Sequence, residues 1–166
     1  MTTRRARIAV PADPAAVAFA RDRVIAQVRG WGVPLDGETS EAVKLVASEL
    51  ITNAVVHSAG LPVAGLYYDQ EAGRLLLVVH DSNPELPHRI DATADDVGGR
   101  GLALVAALAT EHGWEPTDRG KKVWAAFDVA VPSRPTLAAP LRRRLQAVTP
   151  WAHMPGGRPL ARAADM

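Results

Sequence analysis

The chain has 166 residues, enough for one domain with a substantial core, and its 48% hydrophobic and 22% charged residues are typical of a globular protein. It contains no cysteine, which excludes disulfides, thiolate metal ligands and cysteine nucleophiles. The net charge of +1 gives no general argument for binding to nucleic acid or a membrane surface. No apolar run approaches the ~20 residues that span a bilayer, and the N-terminus lacks the apolar stretch of a secretory signal, so we expect a cytoplasmic protein.

The C-terminal part of the chain differs in composition from the rest. From residue 131 onward there are six arginines and one acid, a net charge of +5, and subtracting this from the overall +1 leaves −4 for residues 1–130. Six prolines in the same segment interrupt helices and strands. We therefore predict a folded domain over residues 1–130 and a flexible, proline- and arginine-rich tail over 131–166, with room for one short helix near 137–148.

Hydrophobic periodicity predicts eight elements in the domain. In chain order they are a strand ending at Pro11, a helix over 14–30, a helix over 40–60 capped by Thr39 or Ser40, the strands VAGLYYDQ and RLLLVVHD, a helix opened by the glycines of GGRG and closed by Gly113, and two hairpin strands around WEPT and KKVWAAF. Consecutive strands without a crossover helix form hairpins. The predicted fold class is therefore α+β, a two-layer α/β sandwich with a mixed or antiparallel sheet and helices on one face, and not a Rossmann fold.

The second predicted helix carries polar residues where apolar side chains are expected. Glu49, Asn53 and His57 are four residues apart, a spacing that places them on one ridge of a helix. The apolar residues on the same arc are Ala42, Val43, Leu45, Val46, Leu50 and Val56. The ridge is thus predicted to run down the middle of the apolar face, where an unpartnered polar group costs roughly 1–3 kcal/mol. A metal ion, a bound polar ligand and a network of protein hydrogen bonds would each satisfy it.

Two further features have the residue types of a ligand site. The glycines at 98, 99 and 101 stand directly before an apolar helix, and exposed N–H groups at a helix N-terminus favour phosphate, although such a segment can equally be an ordinary loop. Asp81 ends the apolar strand RLLLVVHD. A carboxylate there either caps the following turn or accepts a hydrogen bond from the amino group of a ligand.

Taken in order, four segments of the chain resemble a known pattern. The segments ELITNAVVH, VVHDSNPELP, GGRGLALVAALA and GKKVWAAF are similar to the motifs of the GHKL (histidine-kinase-like) ATPase superfamily, and within it to the anti-sigma-factor serine/threonine kinases. The resemblance covers about residues 6–130. It implies a Bergerat-type ATP-binding fold, with ATP and Mg²⁺ as cofactors.

The resemblance also implies a role for each matching residue. Asn53 would coordinate the Mg²⁺ that bridges the ATP phosphates, and Glu49 would be the general base for a serine hydroxyl or a water. His57 would lie near the phosphates or cap the helix, and Asp81 would accept the adenine amino group. The phosphates would be wrapped by backbone N–H groups of four consecutive residues, which are Gly99, Arg100, Gly101 and Leu102.

The resemblance further implies protein partners, namely a sigma factor, an anti-anti-sigma protein with a STAS-like fold, or both, and it is compatible with a homodimer.

The chain departs from the family pattern in two places. The family usually has a threonine before Val-Trp that supports the adenine-binding Asp, and in this chain Lys122 stands in its place. The other departure is the set of three aspartates in the expected lid between residues 84 and 98. Two alternatives are a nucleotide-responsive binding module without kinase activity and a DNA-binding regulator that uses the basic tail, which the −4 body disfavours.

Overall fold

The computed structural model describes residues 3–58, 60–84 and 99–131. In this part of the chain the elements, in order, are β1 (Thr3–Ala9), α1 (Ala16–Gly30), α2 (Gly37–His57), β2 (Val63–Asp69), β3 (Arg74–Asp81), α3 (Gly99–Leu108), β4 (Glu111–Thr117) and β5 (Gly120–Asp128). All eight predicted elements are present in the predicted order. The predicted lid and the predicted tail fall on residues outside the described ranges.

The five strands form one antiparallel sheet in the order β1-β2-β3-β5-β4. Alternate residues of β3 separate the two faces of this sheet. Leu75, Leu77 and Val79 join the main core, which also contains the buried side chains of α1, α2 and α3. Leu76 and Val78 belong to a second, smaller cluster on the opposite face. The described helices therefore cover the same face of the sheet, which confirms the predicted α+β two-layer sandwich with an antiparallel sheet. No helix within the described ranges is long and apolar enough to cross a bilayer.

Helix α2 begins three residues earlier than predicted. Its N-cap is Asp36, whose carboxylate accepts a hydrogen bond from the backbone N–H of Thr39 (2.6 Å). This contact lowers the pKa of the Asp36 carboxyl, as a hydrogen bond to the charged form does. The sequence pattern favours Thr39 or Ser40 as the N-cap because these residues stand just before the first apolar residues of the helix. The aspartate cap adds one more turn to the helix.

The predicted polar ridge of α2 lies at the border of its buried face and not in the middle. Leu45 and Val56, two residues counted as part of the apolar face, are 44% and 60% exposed, whereas Val46 and Leu50 are buried. The ridge of Glu49 and its neighbours thus separates the core from an open side. Side chains at such a border can contact a ligand while the helix stays packed on the core.

Helix α3 ends at Leu108, before the predicted stop at Gly113. Gly113 instead lies within β4, opposite Trp124 of β5. A Cβ atom at this glycine would approach Cζ2 of the Trp124 indole to 2.7 Å, so the indole occupies the space that a side chain would need. The glycine was interpreted as a helix terminator, but it serves the packing of an aromatic ring on the outer face of the sheet.

The start of β5 is pressed against the end of β3. Gly120 has φ +144°, a backbone conformation that L-residues rarely adopt, and a Cβ there would collide with the carbonyl oxygen of Asp81 and with the backbone of Ser82. The close approach fixes the relative position of the two strand ends. This position brings Asp81 at the end of β3 opposite Lys121 near the start of β5.

We expect Gly120→Ala to lower the free energy of unfolding by at least about 2 kcal/mol, because it combines a strained φ with a backbone collision. Urea denaturation followed by circular dichroism measures this change. Gly30→Ala is the matched control, since a Cβ at Gly30 meets no atom within 4 Å. Equal stability of the two variants would show that β3 and β5 do not approach each other as described.

Candidate functional site

The beginning of α3 packs directly on the polar ridge of α2. A Cβ atom at Gly101 would collide with the Glu49 carboxylate and would lie 3.7 Å from Nδ2 of Asn53. The absence of a side chain at Gly101 leaves the space that the Glu49 carboxylate occupies. The structure therefore brings together the helical ridge and the glycine-rich segment, which are separate features of the residue pattern and which the family resemblance assigns to one ATP site.

The three ridge residues differ in exposure. Glu49 and Asn53 are half-buried, and His57, the last residue of α2, is exposed. Among the residues that the structure describes, no side-chain hydrogen bond or ion pair satisfies the Glu49 carboxylate or the Asn53 amide. Within that part of the chain, the third explanation for the ridge, an internal hydrogen-bond network, is thus not observed. Within the described ranges, His57 makes no side-chain contact that would assign it to phosphate binding.

The N-terminus of α3 supplies the electrostatics of the site. The helix begins at Gly99, so the N–H groups of its first turn, up to Leu102, have no partner within the helix. These N–H groups and the positive end of the helix dipole favour an anion at this end of α3. Because Gly101 lies next to the Glu49 carboxylate and near the Asn53 carboxamide, an anion held there would lie beside both side chains. The arrangement suits an anion together with a cation that balances its charge.

Asp81 is the last residue of β3 and is 8% exposed. Its Oδ1 accepts hydrogen bonds from the backbone N–H of Asn83 (2.8 Å) and from Nζ of Lys121 (3.2 Å), the residue directly opposite on β5. The carboxylate thus caps the turn after β3, which is one of the two roles expected from the sequence. No described residue donates to Oδ2, which leaves this oxygen able to accept from a ligand.

Lys122 does not take the place beside Asp81 that the motif comparison gave it. It pairs with His80 in the sheet register and forms an ion pair with Glu115 on the outer face. Partial burial lowers the pKa of Lys122, and burial together with the neighbouring cations Lys122 and Arg7 lowers the pKa of His80. The side chain beside Asp81 belongs to Lys121. The strand alternation that turned Val123 inward also turns Lys121 inward, a signal that was available in the sequence but was not used.

A second residue that sequence reasoning missed joins α2 to the end of β3. The Ser58 hydroxyl, directly after α2, accepts a hydrogen bond from the backbone N–H of Ser82 (3.0 Å) and lies 2.8 Å from the Ser82 hydroxyl. It also accepts from the N–H of Gly60 (3.3 Å). These contacts hold the helix that carries Asn53 at a fixed distance from the strand that ends in Asp81. No motif points to Ser58, since a single serine after a helix is common.

The donor set at the ridge fits a magnesium ion shared with a phosphate. Mg²⁺ prefers oxygen ligands and usually takes only one or two from the protein, with water and phosphate oxygens completing the shell. Glu49 and Asn53 offer such oxygens next to the α3 N-terminus. No group of three or more acidic, histidine or cysteine side chains in the described part of the chain could hold a metal by itself.

Comparison with known proteins gives a family match and a similarity to a solved structure. A family described as "Histidine kinase-like ATPase domain" matches residues 10–127, a range that contains every candidate site residue named above. No curated protein matches the chain. Among solved structures, it is similar to the histidine kinase domain of the blue-light activated histidine kinase EL346 from Erythrobacter litoralis, at 22% identity and a TM-score of 0.45. The match covers 70% of this chain and 60% of that domain, so the chain spans about three fifths of its length.

Proposed function

Because this chain belongs to the histidine kinase-like ATPase domain family, we propose that it binds ATP with Mg²⁺ at the junction of α2 and α3 and transfers the γ-phosphate to a serine of a protein partner. The observation that carries the proposal is the contact of Gly101 with Glu49 and Asn53. The proposal is supported by the proximity of a carboxylate, a carboxamide and the first described turn of a helix. A triphosphate with its metal ion requires this combination.

Each part of the site has a role in this proposal. Asn53 would ligate Mg²⁺, which neutralises phosphate charge when it is bound. The N–H groups at the start of α3 would hold the phosphates, and Asp81 would accept the adenine amino group. Phosphoryl transfer depends mainly on positioning and charge neutralisation, so few protein groups suffice.

Glu49 is the proposed general base. It would take the proton of the attacking serine hydroxyl as that oxygen bonds to the γ-phosphorus, while the bond to the β-phosphate oxygen breaks and leaves ADP. The side chain is half-buried and reaches the start of α3, as a group acting between phosphate and solvent must. A hydroxyl from a second protein can approach from the open side of α2.

The partner class follows from the resemblance to anti-sigma-factor kinases in the ELITNAVVH and GGRGLA segments. We propose that the partner is an anti-anti-sigma protein with a STAS-like fold, a sigma factor, or both. Incubation of the full chain with γ-labelled ATP, Mg²⁺ and candidate STAS proteins tests the kinase activity. Label on a partner serine is expected. Binding of ATP without any transfer would instead support a nucleotide-responsive binding module.

Gly101→Ala should separate folding from function. The methyl group would displace the Glu49 carboxylate, which is the far end of a flexible side chain, while alanine in a helix is favoured over glycine by about 1 kcal/mol. We therefore expect unchanged or slightly higher thermal stability. We also expect at least tenfold weaker binding of Mg·ATP, corresponding to about 1.4 kcal/mol, because the methyl group and the displaced carboxylate would crowd the space between Asn53 and the start of α3. Calorimetric titration measures the affinity.

Gly37→Ala is the control for this variant, because Gly37 also lies in a helix and a Cβ there meets nothing within 4 Å. It should retain the affinity of the unmodified chain. If Gly101→Ala binds Mg·ATP as tightly as the control, the nucleotide does not occupy the junction of α2 and α3.

A further inference from the structure

At the strand ends of β3 and β5, the site contains a buried ion pair whose lysine has no role in the proposed function. Asp81 and Lys121 lie directly opposite each other, and their side chains are only 4% and 9% exposed. Removing two charges from water is costly, and a buried pair often stabilises a protein no more than apolar side chains of similar size would. A contribution to stability therefore does not account for the pair.

A count of donors and acceptors shows what the pair leaves available. A lysine ammonium has three N–H donors. Nζ of Lys121 uses one on Oδ1 of Asp81 (3.2 Å) and one on the carbonyl oxygen of Asn83 (3.2 Å). Within residues 3–58, 60–84 and 99–131, neither the third N–H of Lys121 nor Oδ2 of Asp81 has a partner. The pair thus offers one donor and one acceptor next to each other.

Both groups are held in place from two sides. Gly120, the residue before Lys121, is pressed against the backbone of Asp81 and Ser82 in a conformation that suits glycine. On the other side, Ser82 is bound to the Ser58 hydroxyl at the end of α2. A donor and an acceptor on such a fixed frame can discriminate between ligands, because a ligand that leaves one of them unpaired loses a buried hydrogen bond.

We infer that Lys121 is a specificity-determining residue that donates a hydrogen bond to ring nitrogen N1 of the purine, while Oδ2 of Asp81 accepts from the 6-amino group. The inference rests on the proposed ATP site. In adenine, N1 is an acceptor that matches the N–H of Lys121, and the 6-amino group is a donor that matches Oδ2 of Asp81. A 6-oxopurine has a donor at N1 and an acceptor at O6, so neither atom matches the pair.

Two analogues of ATP test the two contacts separately on the full chain. 1-deaza-ATP has a C–H in place of N1 and loses the hydrogen bond from Lys121, whereas 7-deaza-ATP keeps the whole edge and serves as the control ligand. Calorimetric titration should show 1-deaza-ATP bound at least about tenfold more weakly than ATP, and 7-deaza-ATP bound like ATP.

The variant Lys121→Met should reduce the preference for ATP over 1-deaza-ATP to within about twofold, because the donor is gone. Lys122→Met is the matched control, since Lys122 points to the outer face and pairs with Glu115. It should keep the preference of the unmodified chain. If Lys121→Met leaves an uncompensated carboxylate and does not fold, the double variant Asp81→Asn with Lys121→Met removes both charges, and its preference should also vanish.

The outcomes distinguish this inference from the function on which it rests. If the unmodified chain binds none of the three nucleotides, the proposed ATP site is wrong and the inference with it. If the chain binds ATP and 1-deaza-ATP equally well, or if Lys121→Met keeps the preference, the ATP site stands and the role of Lys121 is refuted.

Discussion

Asn53→Ala is expected to weaken binding of Mg·ATP by at least about tenfold, equivalent to 1.4 kcal/mol, while leaving the fold intact. The Asn53 carboxamide lies near the start of α3 and has an uncharged oxygen that can ligate a metal, and alanine cannot replace it. Because alanine has the higher helix propensity, by about 0.5 kcal/mol, the variant should unfold at the same temperature or slightly above. A fluorescent ATP analogue titrated with and without Mg²⁺ measures the affinity.

The dependence on Mg²⁺ makes the result specific to Asn53. In the unmodified chain, removal of Mg²⁺ with EDTA should weaken binding, and in Asn53→Ala it should have little further effect. Thr52→Ala, an exposed neighbour on the same helix, is the control and should behave like the unmodified chain. If Asn53→Ala retains both affinity and Mg²⁺ dependence, the metal is held elsewhere.

Glu49→Gln should lower the rate of phosphotransfer to a partner serine by about 10²–10⁴-fold and leave Mg·ATP affinity within about threefold. Glutamine keeps the size and the hydrogen-bonding oxygen of glutamate but cannot accept the hydroxyl proton. The contact with Gly101 is preserved, so the geometry of the junction should not change. Single-turnover transfer of labelled γ-phosphate separates the chemical step from nucleotide binding.

The control for this variant is Glu41→Gln. Glu41 is an exposed residue of α2 whose ion pair with Lys44 (3.8 Å) lies on the surface and contributes little. Transfer by this control should match the unmodified chain. A Glu49→Gln variant with undiminished transfer would remove Glu49 from the role of base, and it would leave the nucleotide site itself untouched.

The sequence predicted the order of the elements and the layer architecture because both follow from periodicity and from the absence of crossover helices between strands. The residue pattern alone gives Glu49 and Asn53 as one feature and Gly101 as another, and the family resemblance assigns all three to one ATP site. Their contact could not be predicted from the residues alone, because the distance between two helices depends on how both pack on the sheet. The absence of a side chain at Gly101 is the local reason for that contact.

Errors at the element ends have identifiable causes. The predicted N-cap of α2 is too late because Asp36 stands directly before Gly37, a residue with low helix propensity. Gly113 was interpreted as a helix terminator, although its glycine is needed for the Trp124 indole. Lys122 was assigned to the neighbourhood of Asp81 by motif position, and the strand register gives that place to Lys121. For Gly113 and for Lys122, a tertiary contact decides what the local pattern leaves open.

The most direct measurement of the central claim is a titration of the ¹⁵N-labelled chain with Mg·ATP, followed by NMR. We predict saturable shifts of the backbone amides of Asn53, Gly101 and Ser82. The amides of Arg74 and Asp128, at the opposite end of the paired strands β3 and β5, should stay in place. Shifts confined to that opposite end, or no saturable shift at any amide, would contradict a nucleotide site between α2, α3 and the end of β3.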